Sequence, residues 1–124
     1  MWKKWVFIAT VAGATTLFNC PLGEISEHAV GKKTLSDLYD ECRSIAKFNG
    51  YIISDLETEN VLKNIMTPGS LIKASMLRDI EKKGFTEHEE IFGDLIAEGE
   101  KFNLDCPILK ACYLRMKIYK ENLN

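Results

Sequence analysis

The sequence predicts an all-α domain of five or six helices joined by short loops. Three observations carry this expectation. Apolar residues recur at helical spacing in one segment after another. Pro, Gly and Asn fall between those segments, where helices stop. No convincing alternation of apolar and polar residues marks a strand, since Tyr51-Ile52-Ile53 is short and isolated. At 124 residues, 46% hydrophobic and 27% charged, the chain can bury one real core and is too short for two. The formal net charge is −2, with Lys and Arg scattered among acids. That distribution gives no footprint for nucleic acid or an anionic membrane.

The elements follow in order. Met1-Trp2-Lys3-Lys4 precedes the apolar run WVFIATVAGATTLF and then Asn19-Cys20. A charged start, an apolar run and a cysteine have the outline of a secretory or lipoprotein signal. Against that, Phe18 and Asn19 stand just before Cys20, where small residues belong, and the run is short for a membrane span. The other reading is a buried helix whose Ala9, Ala12, Gly13 and Ala14 let a neighbour approach closely; periodicity alone does not separate the two. Cys20-Pro21-Leu22-Gly23 ends the segment, and residues 24–32 read as a short helix or a loop. Leu35, Leu38, Tyr39, Cys42, Ile45, Ala46 and Phe48 mark a second long helix, stopped at Asn49-Gly50. Ser54 or Asp55 caps the next, which ends before Pro68-Gly69. Ser70 is expected to cap a helix running through Ser75 and Asp79. A helix from Glu87 should bury Ile91, Phe92, Leu95, Ile96 and Phe102. Gly93 and Gly99 would weaken it by roughly 1 kcal/mol each unless they permit close packing. Pro107 suits the first turn of a last helix.

The four cysteines form no C-x-x-C pair, and only His28 and His88 accompany them, so a zinc site is not expected. They read as reduced, mostly buried thiols of a cytoplasmic protein. For His88, near a helix start, a structural or solvent role is expected.

The stretch with most chemical content is Ser75–Gly93, SMLRDIEKKGFTEHEEIFG. Ser75 and Asp79 are four apart and share a helix face. A turn at Lys83-Gly84-Phe85 follows. Thr86 with Glu89 has capping-box spacing, and Glu87, Glu89 and Glu90 crowd the first turn, where the helix dipole favours acids. One reading is a capped helical hairpin with acidic decoration. The other is a rigid mount that turns Ser75 and Glu87 to one ligand.

Three stretches resemble the C-terminal domain of the ketopantoate reductase (2-dehydropantoate 2-reductase) family. WKKWVFIATVAGATTLFNCPLGEI resembles the helix that opens that domain, with a tryptophan and a lysine at its head and a CPLGE-like turn at its foot. SMLRDIEKKGFTEHEEIFG resembles the family's longest and most specific signature, and NLDCPIL resembles the entry to its last helix. The resemblance spans 1–124. It implies a multi-helix bundle like the C-terminal domain of 6-phosphogluconate dehydrogenase, and a core helix rather than a signal at the start.

The resemblance also implies a reaction: NADPH-dependent reduction of a 2-keto acid, with ketopantoate reduced to pantoate in pantothenate biosynthesis as the type case. The family's proton-donating lysine falls on Lys4, and its substrate-binding serine and glutamate fall on Ser75 and Glu87. A ketone becoming an alkoxide needs a positive donor close by, and lysine supplies charge and proton together. Asp79 matches a family position too, where a structural role is expected. Two departures stand out. Lys4, Ile8 and Ala12, spaced by four, form one stripe, and the family's asparagines are replaced there by Ile8 and Ala12, which bond no hydroxyl. A more apolar 2-keto acid should fit. No G-x-G-x-x-G occurs, so the NADPH-binding Rossmann domain is expected to precede Met1 and this chain alone to be inactive, with no cofactor and no metal of its own. Lys4, near the chain's start, should then be solvated. Trp2 and Trp5 would be exposed, favouring a homodimer through the first helix. The alternative is a non-enzymatic helical dimerisation module derived from the family. A lipoprotein modified at Cys20 is the remaining reading.

Overall fold

A computed structural model describes residues 1–123. It contains seven α-helices: α1 (Trp2–Phe18), α2 (Leu22–Ser26), α3 (Ala29–Phe48), α4 (Asp55–Ile65), α5 (Ser75–Glu81), α6 (Asp94–Glu100) and α7 (Pro107–Glu121). A π-helical turn, Glu89–Gly93, leads directly into α6. No strand forms among the described residues, so the domain is all-α, with more elements than periodicity alone counts.

Helix α1 is the axis of the domain. Every residue from Ala9 to Thr16 is buried, as expected of a helix apolar on all sides. Helices α3, α7, α2 and α5 and the π turn all pack on it. Close packing depends on the small residues: a Cβ at Gly13 would stand 3.0 Å from both Cys112 Sγ and Leu38 Cδ2. Three buried threonines satisfy their hydroxyls inside the helix, Thr10 donating to Val6 O, Thr15 to Val11 O and Thr16 to Ala12 O. Asn19 closes α1 in the left-handed conformation at φ 57°, and Pro21 prevents its continuation. Among the described residues no helix is long and apolar enough to cross a membrane.

Helix α3 begins at Ala29, earlier than its apolar period shows. Its first turn passes against α2 at Gly31, where a Cβ would collide with the Ile25 carbonyl. Residues 24–32 are therefore the end of α2 and the start of α3, joined by a turn at Glu27-His28. Ser54 caps α4 as expected, its hydroxyl accepting from Glu57 N at 3.1 Å. The start of α7 has an unexpected cap. Glu41, on α3, accepts from the amides of Ile108 (3.1 Å) and Leu109 (2.8 Å). Burial raises the Glu41 pKa, against the pull of those two amides.

All four cysteines are free thiols, three of them buried. Burial pushes Cys106 up to about 11 and Cys112 up to about 12, so neither is a nucleophile at neutral pH. Phe102 lies outside the core and packs on Phe48, with ring centroids 5.6 Å apart. Trp2 and Trp5 are half-buried rather than exposed, and their rings stack at 5.1 Å.

Candidate active site

Helix α1 places Lys4, Ile8, Ala12 and Thr15 on one face, because three- and four-residue steps return to the same side. Lys4 is exposed, Ile8 half-buried, and Ala12 and Thr15 buried. From Lys4 to Thr15 the helix rises ~16 Å, at ~1.5 Å per residue. Lys4, together with Met1, Lys3, Phe7, Tyr39 and Val61, lines an open, largely apolar groove of about 380 Å³. Lys3 pairs with Glu57, its ammonium 3.1 Å from that carboxylate.

The far end of the stripe meets the start of α5. Thr15 Oγ1 accepts from Ala74 N at 3.3 Å. The chain before Ala74 is extended and docks along α2: Gly23 N donates to Ser70 O at 2.9 Å and Leu22 N to Ile72 O at 2.8 Å. These bonds overturn the expected Ser70 cap. With the Ser70 and Ile72 carbonyls committed to α2, the residues stay extended and α5 begins only at Ser75. Ser75 is exposed beside the end of the stripe.

The loop after α5 carries Glu87, exposed, its carbonyl accepting from Ile91 N at 3.0 Å and its carboxylate making no hydrogen bond among the described residues. The expected capping box at Thr86 and Glu89 is absent. Thr86 Oγ1 lies 2.7 Å from His88 Nδ1, and the Glu89 carboxylate accepts from the Tyr113 hydroxyl. Both members of the box have found distant or ring partners that outweigh a local bond. His88 is buried, and that burial lowers its pKa, so the neutral ring is favoured. The structural role expected for it holds. Asp79 contributes through its main chain, its carbonyl accepting from Gly84 N at 2.8 Å.

The π turn follows from the same contacts. Trp5 Nε1 donates to Ile91 O at 3.0 Å, drawing that carbonyl towards α1. Asp94 N reaches back five residues to Glu89 O. Gly93 leaves room for Tyr113, whose hydroxyl would stand 3.3 Å from a Cβ there. At the other end of the loop, Tyr119 donates to Gly84 O at 2.5 Å. Glu87 therefore hangs between two tyrosine anchors and one tryptophan anchor.

Ser75 thus adjoins the α1 face that begins at Lys4, while Glu87 sits on the loop leading to the Trp5-anchored turn. Among the described residues no hydrogen bond or ion pair joins Lys4, Ser75 and Glu87. Sequence reasoning missed Thr15, Gly23, Trp5, Tyr113 and Tyr119 as anchors. Only Thr15, a polar residue inside an apolar run, carried a sequence signal. The chain carries no G-x-G-x-x-G, and its left-handed glycines, Gly50 and Gly69, lie in loops between helices.

The described residues form an all-helical domain packed round one buried helix, with a lysine at that helix's head. The chain belongs to the family described as "Ketopantoate reductase PanE/ApbA C terminal", which it matches over residues 1–120. It is 32% identical over 120 residues to an uncharacterised oxidoreductase of Bacillus subtilis, YkpB, covering 97% of this chain and 40% of that protein. It is 25% identical over 108 residues to a 2-dehydropantoate 2-reductase of Archaeoglobus fulgidus, covering 87% of this chain and 36% of that one. In fold it matches a dimeric ketopantoate reductase of Staphylococcus aureus with a TM-score of 0.88 at 20% identity, over 99% of this chain and 43% of that one. The chain therefore spans about two fifths of the length of these relatives.

Proposed function

We propose that this domain is the substrate-binding half of an NADPH-dependent 2-keto acid reductase most like 2-dehydropantoate 2-reductase. The observation that carries this reading is the α1 face of Lys4, Ile8, Ala12 and Thr15, which ends where Ser75 opens α5. NADPH, which a Rossmann domain outside residues 1–124 would hold, would supply the hydride to the keto carbon. Lys4 donates its ammonium proton to the carbonyl oxygen, so the product is a 2-hydroxy acid and the neutral lysine recovers a proton from water. The Ser75 hydroxyl bonds the substrate carboxylate. Glu87 accepts from a substrate hydroxyl and from the Lys4 ammonium, holding both in register. Ile8 and Ala12 offer only hydrocarbon between them, so a 2-keto acid with an apolar side chain should be preferred to ketopantoate. The buried free thiols agree with a cytoplasmic setting.

The test joins this domain at its head to the cofactor domain of a ketopantoate reductase. NADPH oxidation is then followed at 340 nm with ketopantoate and with branched apolar 2-keto acids. Turnover is expected, with the apolar acids favoured in kcat/KM. Lys4→Ala should lower kcat by about 10²-fold or more; a mild effect would remove Lys4 as the proton donor. No NADPH oxidation with any acid would leave the second reading, a dimerisation module that kept the fold and lost the chemistry. Ile8 and Ala12, with no polar atom where the family binds substrate, favour that reading. A homodimer is proposed under either one. Light scattering over a concentration series tests it, and a monomer throughout would end it.

A further inference from the structure

We infer that Thr15, with the Leu22 and Gly23 amides, is a positioning device for Ser75, and that Thr15 is a specificity-determining residue acting through it. The inference rests on the assignment of Ser75 as a substrate contact. Three main-chain groups of one extended segment are held from outside it. Ser70 O and Ile72 O accept from α2, and Ala74 N donates to the buried Thr15 hydroxyl. The bonds fall on alternate residues, so the segment is gripped along one edge and cannot slide by one position without losing all of them. Gly23 makes that grip possible, because a Cβ there would stand 2.5 Å from both Ser70 N and Ser70 O. The next residue after the grip is Ser75.

Thr15 suits this role in a way that a purely structural threonine does not need. Its hydroxyl spends its proton on Val11 O at 2.7 Å. The oxygen lone pairs then point out of α1, and one receives the Ala74 amide, 59 residues away. The hydroxyls of Thr10 and Thr16, equally buried on the same helix, donate within α1, and Arg115 Nε of α7 reaches the Thr16 carbonyl. Thr15 alone among the three bonds Ala74, the residue before Ser75, and so couples the helix that bears Lys4 to the start of α5. It thereby sets the distance between the two ends of the site.

Two measurements test this. In the ¹⁵N-labelled chain, Thr15→Val should speed amide exchange at Ala74 and Ser75 while leaving the π turn unchanged, and Thr15→Ser should restore protection. In the fusion with a cofactor domain, Thr15→Val should raise KM for the 2-keto acid about fivefold to tenfold, the value of one lost positioning bond. KM for NADPH should not move, Thr15→Ser should recover the loss, and Thr15→Val should add nothing to Ser75→Ala. Unchanged exchange at Ala74 would overturn the inference. So would full additivity with Ser75→Ala, or a normal keto-acid KM beside altered exchange. If the wild-type fusion proves inactive, the reading of function fails, and the positioning device stands or falls on the exchange result.

Discussion

Ser75 and Glu87 stand on two parts of the same stretch, and they are held in opposite ways. The segment before Ser75 is fixed through its main chain, by the α2 amides and the Thr15 hydroxyl. The loop around Glu87 is fixed through the side chains of its neighbours: Tyr119 on the Gly84 carbonyl, Tyr113 on Glu89 and Trp5 on the Ile91 carbonyl. A main-chain grip tolerates most substitutions within the segment it holds, because every residue brings the same amide and carbonyl. A side-chain mount is only as firm as three particular aromatic residues. The Ser75 end should therefore break at few positions and severely, and the Glu87 end at more positions and mildly.

The sharpest way to break the first region is Gly23→Ala. A Cβ at that position meets Ser70 main chain, and the backbone cannot turn aside as a flexible side chain would. Loss of two cross-segment hydrogen bonds with the strain should cost ~2–4 kcal/mol in urea unfolding. A cost below ~1 kcal/mol would show that 70–74 is not gripped there.

Trp5→Phe tests the second region. It keeps most of the apolar ring and removes the N–H, leaving the half-buried Ile91 carbonyl without its tryptophan donor. The expected cost is ~1–2 kcal/mol. Amide exchange should rise in 89–94 and stay the same at Ala74. Equal changes at both places would mean the two regions are one cooperative unit and would erase the contrast.

The smallest effect concerns pH. Burial lowers the His88 pKa in the folded state, so the unfolded chain binds the proton more tightly. Stability should be fully present above the unfolded value of ~6.5 and decline as pH falls below it, levelling off under the folded value. His88→Gln should flatten that slope by no more than ~1 kcal/mol across the window. A slope unchanged in the variant would remove His88 as its source.

Much of this domain was legible in advance. The helical period and the Pro and Gly breaks located α3, α4, α6 and α7, while α1 was told from a signal segment only by the family resemblance. The candidate residues Lys4, Ser75 and Glu87 came from a family signature, since spacing alone favoured no chemistry at them. What could not be read were the partners. Ser70 looked like a cap, and its carbonyl instead accepts from the Gly23 amide of α2. Thr86 looked like a cap and turned to His88. Glu41 showed no sign of capping α7 from another helix. Trp2 and Trp5 looked like surface, yet they are half-buried and stack on each other, and Trp5 anchors a π turn.

The division has one physical cause. Whether a segment is helical depends on period, propensity and breakers, all of them local, and the sequence by itself determined that this chain is an all-α domain of helices joined by short loops. Which hydrogen bond a hydroxyl, a carboxylate or an indole makes is a choice between options differing by about 1 kcal/mol. Groups distant in sequence tip that choice once packing brings them near. The tertiary structure alone therefore decided where α5 begins, how Glu87 is mounted, and that a threonine in the core helix holds the segment that delivers Ser75.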